Sequence, residues 1–142
     1  YEGIFADYYS DISKKYTEDI AIYKSILSRE GHMVLELCSG NGRVTIPLLK
    51  SGFDITSVEL SEYMFSILNN KIKKKNRLNK HFKHILGDIL KVKFDSIFDS
   101  VILPATSISI FQYEEIENIF QMVYDALKPG KIFIFDIRLT TH

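Results

Sequence analysis

The sequence predicts an α/β fold in which helices cover both faces of a mostly parallel sheet. Short apolar runs alternate with amphipathic helical patterns along most of the 142 residues, and the connections between them are short. This alternation favours right-handed βαβ crossovers, which produce parallel strands. In addition, acidic or glycine-containing segments follow several of the apolar runs, at the sheet edge where such folds bind ligands. The length indicates one domain over residues 1–142.

The individual elements follow from the same patterns. The predicted strands are short, largely apolar runs, typical of strands covered on both faces, and they span residues 33–37, 54–60, 82–86, 97–103 and 131–137. The predicted helices carry apolar residues at three- and four-residue intervals, and they span residues 4–28, 41–50, 61–72 and 114–127. Between the last helix and the last strand, Lys128-Pro129-Gly130 is typical of a turn.

The composition narrows the class of protein. Eighteen basic residues balance eighteen acidic ones, so the net charge implies no general attraction to nucleic acid or to an anionic membrane. No apolar run approaches the roughly 20 residues of a membrane span, and the N-terminus lacks a signal-peptide pattern. The single cysteine, Cys38, excludes an internal disulfide and is compatible with the cytoplasm, where we expect the protein. Because the chain begins at Tyr1, we expect a fragment or a trimmed chain.

Polar side chains and glycines gather at the carboxyl ends of the predicted strands. After the first strand, the glycines in residues 38–42 let a ligand approach the backbone near a helix start. Glu59 ends the second strand about 20 residues further on, where a carboxylate accepts hydrogen bonds from ribose hydroxyls. Asp88 follows the third strand and suits an exocyclic amine, and small residues follow the fourth at 104–107. Together they predict a site for a ligand that contains a nucleoside.

The first turn distinguishes between two such ligands. A dinucleotide fingerprint requires G-x-G-x-x-G and places a pyrophosphate on the helix N-terminus. Here Glu36 lies two residues before Cys38, the position of the first glycine in that fingerprint. Its carboxylate would repel a pyrophosphate but suit the ammonium group of an amino acid. A nicotinamide-dependent oxidoreductase is therefore the less favoured alternative.

Four segments resemble the motifs of class I S-adenosylmethionine-dependent methyltransferases, in order and spacing, across residues 16–137. Residues 36–43 are similar to the first motif, (D/E)-x-G-x-G-x-G, and residues 58–64 resemble the second, an acid followed by Leu-Ser and a Met-bearing helix. Residues 87–89 resemble the third motif. Residues 126–131 resemble the L-x-P-G-G turn before the fifth strand.

This resemblance implies a Rossmann-like three-layer sandwich with strand order 3-2-1-4-5, lacking the two strands that usually follow the fifth. It implies S-adenosyl-L-methionine as the cofactor and methyl transfer by in-line displacement to an N or O nucleophile. The fourth strand ends in residues 103–107, which lack the N/D-P-P-Y signature of base and amide nitrogen methylation. We therefore expect a small-molecule acceptor. A protein that binds the cofactor without catalysis, or a partner-dependent subunit, is the alternative.

The resemblance also implies an N-terminal cap over residues 1–30 and a set of cofactor-binding residues. These are Tyr9, Tyr16, Glu36, Cys38, Ser39, Gly40, Gly42, Glu59, Leu60, Met64, Asp88, Ile89, Leu103 and Pro104. No catalytic residue is assigned.

The implied roles divide along the cofactor. At the methionine end, Glu36 and the backbone of Cys38 and Gly40 would hold the amino group. The cap residues Tyr9 and Tyr16 would reach the carboxylate.

At the nucleoside end, Glu59 would bind the ribose hydroxyls. Leu60 and Met64 would contact one face of the adenine, and Ile89 would contact the other. Asp88 would accept a hydrogen bond from the adenine amine.

Leu103 and Pro104 would lie near the sulfonium.

Two residues depart from the family pattern. Cys38 replaces the first glycine, which requires a backbone angle that cysteine tolerates or a shifted turn, and we interpret it as a small apolar residue of that turn. Ser39 stands where small-molecule members often carry cysteine. Lys131 replaces the second glycine of L-x-P-G-G without expected consequence.

Three further features have other interpretations. The histidines show no spacing typical of metal ligands, so no metal site is predicted. We interpret His81 and His84 as solvated surface residues, with a general base as the alternative. Seven basic residues without an acid lie in residues 71–83; a solvated surface is favoured over an RNA contact. Strand five would be a bare apolar edge, which we expect a missing C-terminal segment or a second copy to cover.

Overall fold

The computed structural model describes residues 17–139. Tyr9 and Tyr16, most of the predicted cap and the first part of the helix predicted over residues 4–28 lie outside the described residues. Thr17 has a non-helical backbone, and α1 spans Glu18–Leu27. The cap therefore stays a prediction, and within the described residues its helix begins at Glu18.

The described residues form one five-stranded sheet in the order β3-β2-β1-β4-β5, and every neighbouring pair is parallel. The strands are β1 (Met33–Leu37), β2 (Asp54–Glu59), β3 (Phe82–Leu86), β4 (Phe98–Leu103) and β5 (Leu127–Phe135). The predicted fold class and strand order are confirmed. β1 lies at the centre, because β2 and β3 extend the sheet on one side of it and β4 and β5 extend it on the other. The order of the strands therefore reverses between β1 and β4. Ligands of such sheets bind at that reversal.

Helices follow the strands and complete three layers. They are α2 (Thr45–Lys50), α3 (Glu62–Lys73), α4 (Asn76–Asn79) and α5 (Tyr113–Ala126), with a short 3-10 helix at Ser107–Ile110. Ser61 caps α3 as predicted, since its Oγ accepts a hydrogen bond from the N–H of Met64 at 3.3 Å. None of the helices described within residues 17–139 is both long and apolar enough to cross a membrane.

Two apolar cores lie on opposite faces of the sheet, because successive strand residues point to opposite sides. Val34 and Ile55 pack with α1, α2 and α3 in the first core. Leu35, Val101 and Leu103 pack with α5 in the second core. The helices on both faces are thus held by apolar burial, and the carboxyl ends of the strands remain for polar residues.

Two predicted boundaries were wrong. The helix predicted from Asn41 begins only at Thr45, because Gly42 has a φ of +90° and the chain turns there. The predicted turn over residues 128–130 lies within β5 as a bulge. Phe98 pairs with Leu127 and Ser100 pairs with Ile132, so residues 128–131 loop out opposite a single β4 residue.

That β4 residue is Asp99, and its side chain anchors the amino-terminal edge of the sheet. Its Oδ1 accepts from Lys128 Nζ at 2.9 Å and its Oδ2 accepts from the N–H of Met33 at 3.0 Å. Gly31 passes so close that a Cβ there would lie 2.5 Å from Asp99 Oδ2. Burial disfavours the charged form, but the hydrogen bonds from Lys128 and Met33 outweigh it and lower the pKa of Asp99.

Candidate functional site

A cavity of about 480 Å³ opens at the carboxyl edge of the sheet, between the ends of β1, β2, β3 and β4. This volume is within the range of small-molecule sites. Most of the predicted site residues line it: Glu36, Cys38, Ser39, Gly40, Glu59, Leu60, Met64, Asp88, Ile89 and Pro104. Sequence positions far apart therefore meet because parallel strands end at one edge.

Two predicted residues lie elsewhere among the described residues. Leu103 is fully buried in the second core, because its side chain points toward α5. Gly42 borders a smaller cavity of about 250 Å³ on the other side of the turn. A Cβ at Gly42 would lie 2.4 Å from Leu68 Cδ1, so glycine is needed there for packing against α3.

The turn after β1, residues 38–42, is called the cofactor-side turn below. Cys38, Gly40 and Gly42 have φ values of +57°, +57° and +90°. Cys38 therefore adopts the left-handed conformation that the family pattern gives to glycine, at a typical cost of about 1–2 kcal/mol. A Cβ on Gly40 would meet no atom within 4 Å. Gly40 thus leaves open space in the cavity, whereas Gly42 fits against protein.

Glu36 is the polar group at the base of the cavity, and it is fully buried. Thr45 Oγ1 donates a hydrogen bond to its Oε1, and Oε2 has no partner among the described residues. Burial raises the pKa of Glu36 to about 8, although the Thr45 hydrogen bond and the charge of Arg43 lower it. A buried acceptor without a partner is costly. It is therefore a candidate to bind a cationic donor.

Glu59 is oriented by the backbone around it. Its Oε2 accepts from the N–H of Gly40 at 2.7 Å, and its Oε1 accepts from the N–H of Ser61 at 3.1 Å. A carboxylate offers about four acceptor positions, so two N–H groups leave capacity for two more donors. The carboxylate also fixes the cofactor-side turn to the end of β2.

The third acid is held in a similar way. Asp88 Oδ1 accepts from the N–H of Leu90 at 2.9 Å, which orients the side chain at the end of β3. Ile89 and Met64 are buried beside the cavity, and Leu60 lines it with 69% of its surface exposed. One part of the cavity wall is therefore apolar, with a carboxylate beside it.

The comparisons with known proteins agree with this geometry. Residues 34–130 match a family model described as a methyltransferase domain. The chain belongs to this methyltransferase family. The match covers more than half of the chain and includes the turns after β1, β2 and β3. The resemblance to class I S-adenosylmethionine-dependent methyltransferases is thereby confirmed.

Individual relatives show how much of a whole protein the chain represents. YqeM of Bacillus subtilis (strain 168), a protein named as a methyltransferase, is 28% identical over 143 aligned positions, covering 96% of this chain and 55% of YqeM. A solved S-adenosylmethionine-dependent methyltransferase from Clostridium acetobutylicum ATCC 824 is 25% identical, with a TM-score of 0.75 over 94% of this chain and 56% of that chain. The chain thus spans about half the length of these relatives.

A third relative is similar over a shorter stretch. The ribosomal RNA small subunit methyltransferase A of Pseudomonas fluorescens (strain Pf0-1) is 36% identical over 76 residues. The aligned part covers 54% of this chain and 26% of the relative. This likeness is confined to about a quarter of that protein.

In this methyltransferase domain Cys38 is not a reactive thiol. Burial raises its pKa to about 12, and the nearby carboxylates of Glu59, Glu36 and Asp88 act in the same direction. The thiol therefore stays protonated near neutral pH, and the thiolate is the nucleophilic form. Within residues 17–139, no three His, Cys, Asp or Glu side chains are grouped as metal ligands.

The interpretation of the two strand-three histidines holds for one of them. His81 is exposed and lies 2.6 Å from Asp54 Oδ1. His84 is half-buried, so the prediction of a solvated residue was wrong for it. Its ring stacks on Phe65 at 4.0 Å, and its Nδ1 lies 2.8 Å from Asn69 Oδ1. Burial lowers the pKa of His84 to about 4, so the ring is neutral.

The backbone geometry after β4 could not be predicted from the residue pattern. Ala105 and Thr106 have φ values of +61° and +53°, two successive left-handed residues without a glycine. Ala105 and Ser107 line the cavity, with Ile110 and Phe111 beyond them. Residues 104–107 are called the acceptor-side turn below. Backbone strain of this kind is often found at functional sites.

Proposed function

We propose that the protein transfers a methyl group from S-adenosyl-L-methionine to a small-molecule acceptor with an N or O nucleophile. The observation that carries this proposal is the meeting of Glu36, Glu59 and Asp88 around one cavity, each at the end of a different strand. The three carboxylates would match an ammonium group, a ribose diol and an adenine amine. Membership of the methyltransferase family supports the same cofactor.

Two observations fit the methionine end of this cofactor. The unpartnered Oε2 of Glu36 would accept a hydrogen bond from the ammonium group, and the cation would favour the ionised carboxylate. The open space at Gly40 would let the amino-acid part approach the backbone. Tyr9 and Tyr16 stay predicted ligands of the carboxylate, as parts of the N-terminal cap over residues 1–30.

The nucleoside end fits the remaining acceptors. Glu59 is held by two backbone N–H groups and would accept from both ribose hydroxyls. Leu60, Met64 and Ile89 would enclose the adenine, with Asp88 at its amine. The match to a methyltransferase family model argues against the nicotinamide-dependent alternative.

The reaction would require little acid–base chemistry from the described residues. When bound, S-adenosyl-L-methionine supplies an electrophilic methyl group with a good leaving group. The acceptor-side wall consists of residues without a general base: Pro104, Ala105, Ser107, Ile110 and Phe111. These residues would exclude water and align the nucleophile. The acceptor would therefore enter with its nitrogen neutral or its oxygen already ionised.

The main competitor for the acceptor is RNA, given the likeness to a ribosomal RNA methyltransferase. The basic segment covers residues 71–83, and most of it, residues 74–81, joins the end of α3 to the start of β3. It therefore lies at the amino-terminal edge of the sheet, opposite the cavity. A polyanion held there would lie away from the reacting groups, which favours the small-molecule proposal.

The proposal is tested first by calorimetry with S-adenosylhomocysteine, S-adenosylmethionine and NAD on the full chain. We expect both sulfur compounds to bind and NAD not to bind. NAD binding without binding of the sulfur compounds would overturn the proposal. Incubation of the full-length protein with methyl-labelled cofactor and either a metabolite extract or RNA then separates the acceptor classes. Binding without transfer in either case would favour the non-catalytic alternative.

Within residues 17–139, no strand pairs with the outer side of β5. Phe120, Phe133 and Phe135 form an aromatic cluster beside this edge strand, and apolar edges invite pairing. Because the relatives are about twice as long, we propose that a further segment of the whole protein covers the edge. A second copy of the chain is the alternative, which the oligomeric state in solution tests. The cytoplasmic location stays a prediction.

A further inference from the structure

Two side chains of α1 are hydrogen-bonded to residues in or next to different parts of the cavity wall. Asp19 and Tyr23 are four residues apart, so they lie on the same face of the helix. Asp19 binds the Arg43 guanidinium with both oxygens, at 2.7 Å from each terminal nitrogen. Arg43 lines the cavity just after the cofactor-side turn. Asp19 thus attaches α1 to the segment between the cofactor-side turn and α2.

Tyr23 makes the second attachment through Asp136, the residue that directly follows β5. The Tyr23 hydroxyl donates to Asp136 Oδ1 at 2.8 Å. Asp136 Oδ2 accepts from the backbone N–H of Thr106, also at 2.8 Å. Tyr23 is only 3% exposed, so water competes little with its hydroxyl for the Asp136 carboxylate.

The bond to Thr106 is made at the strained point of the acceptor-side turn. Ala105 and Thr106 both hold left-handed backbone angles, which a Cβ disfavours. Such a conformation persists only where the surrounding structure holds it. Asp136 supplies that hold, because its carboxylate binds the one N–H that fixes the orientation of the peptide between Ala105 and Thr106.

We propose that Asp136 is a positioning residue that, with Tyr23, fixes the acceptor-side turn against the cavity. The Asp19–Arg43 pair connects α1 to the cofactor-side turn, and the Tyr23–Asp136 pair connects it to the acceptor-side turn. These two connections, called the bracket, would set the separation of the two turns. The inference rests on the proposed function, since the bracket matters only if the cavity binds the methyl donor. It adds a residue that none of the four sequence motifs contains.

The test compares Asp136→Ala with Asp136→Asn in the full chain. The asparagine keeps both contacts, because its oxygen can accept from the Thr106 N–H and its NH2 can donate to the Tyr23 oxygen. The alanine removes both contacts. Tyr23→Phe removes one contact and is the milder variant should Asp136→Ala fail to fold. Asp125→Ala is the matched control, since Asp125 is an exposed carboxylate on α5 whose hydrogen bond within the described part of the chain is to Gln121 of the same helix.

Two measurements are made on each variant. The first is the hydrogen-exchange rate of the Thr106 amide without ligand, and the second is calorimetric affinity for S-adenosylhomocysteine. For Asp136→Ala we expect about tenfold faster exchange and about tenfold weaker binding, as for loss of a hydrogen bond to a charged group. Tyr23→Phe should change both by about half as much on a logarithmic scale. Asp136→Asn and Asp125→Ala should stay within about twofold of the parent.

The outcomes separate the two proposals. If the parent does not bind S-adenosylhomocysteine, the proposed function fails, while Thr106 exchange still tests the bracket. If the parent binds and Asp136→Ala leaves both measurements unchanged, the bracket is overturned and the proposed function stands. If Asp136→Asn is as impaired as Asp136→Ala, the charge rather than the two hydrogen bonds matters, which also overturns the positioning role.

Discussion

The two edges of the sheet each bury a carboxylate, in opposite environments. At the amino-terminal edge, Asp99 accepts from Lys128 and from the N–H of Met33, and its pKa is lowered although burial alone would raise it. At the carboxyl edge, Glu36 accepts from Thr45 with one oxygen and has no partner for the other among the described residues. Its pKa is raised to about 8, chiefly by burial.

This difference distinguishes a carboxylate that is paired within the fold from one that we propose binds a ligand. Asp99 has partners within the fold, so its charge contributes to stability without any ligand. Glu36 would cost stability in its charged form until a cation reaches it. Buried polar groups in proteins are nearly always paired, and the unpaired Oε2 of Glu36 beside the cavity supports the proposal that it binds a ligand. Changing each carboxylate should therefore have opposite consequences.

The largest expected effect concerns Glu36→Gln. Because the folded pKa of Glu36 (about 8) exceeds its ordinary value, the associated stability is complete below the ordinary pKa and is lost as the pH rises through about 8. Glutamine stays neutral, so the variant should gain stability over the parent between about pH 5 and pH 8, by at most about 4 kcal/mol. Urea unfolding at several pH values measures this. If the free energies of unfolding of the parent and of Glu36→Gln changed in parallel with pH, the raised pKa of Glu36 would be contradicted.

Ligand binding should also change the protonation state of Glu36. Free Glu36 is mostly protonated at pH 7, and an ammonium group beside it would favour ionisation. Binding of S-adenosylhomocysteine should then release close to one proton in the parent and none in Glu36→Gln. Calorimetry in two buffers of different ionisation enthalpy measures the release. Equal release in both proteins would point to another group.

Glu59→Ala should give the next largest effect. The change removes the proposed ribose acceptor and the carboxylate that binds the N–H groups of Gly40 and Ser61. We expect about 100-fold weaker binding of S-adenosylhomocysteine, since two charged hydrogen bonds are lost. Glu62→Ala is the control, because Glu62 is exposed in the first turn of α3. Parent-like affinity in Glu59→Ala would remove the ribose assignment.

Asp99→Ala should affect stability and leave binding alone. The variant leaves the N–H of Met33 without its acceptor and Lys128 without its ion pair, which should lower the free energy of unfolding by about 2 kcal/mol. The loss should shrink as the pH falls toward the acid range, because a lowered pKa contributes stability that is lost on acidification. Urea unfolding measures it. A weakened affinity for S-adenosylhomocysteine at equal foldedness would contradict the separation of the two edges.

The comparison also explains how far the sequence could be interpreted. Strand order and the acids at the strand ends were predictable, because parallel strands bring sequence motifs to one edge. The helix start at Thr45 and the bulge opposite Asp99 were not, because a glycine turn and a tertiary hydrogen bond override local helix and turn preferences. His84 was misinterpreted for a related reason: its neighbours in sequence are basic, but the strand turns its side chain toward Phe65 and Asn69.

The conformation of the acceptor-side turn could not be predicted from its own residues. Nothing in Pro104-Ala105-Thr106-Ser107 signals two left-handed residues, because neither is glycine or asparagine. We propose that the conformation depends on Asp136, which lies 30 residues further along the chain and directly follows β5. A contact of that kind follows from the fold as a whole and not from spacing.

The smallest expected effect concerns Cys38→Gly. Cys38 holds a φ of +57°, so glycine should relieve up to about 1 kcal/mol of backbone strain, offset in part by the entropy that glycine gains in the unfolded chain. The thiol carries no proposed role, so affinity for S-adenosylhomocysteine should stay within about twofold. Cys38→Val, with a β-branched side chain at the same angle, should destabilise instead. Loss of binding in Cys38→Gly would show that the side chain, and not only the left-handed backbone, serves the site.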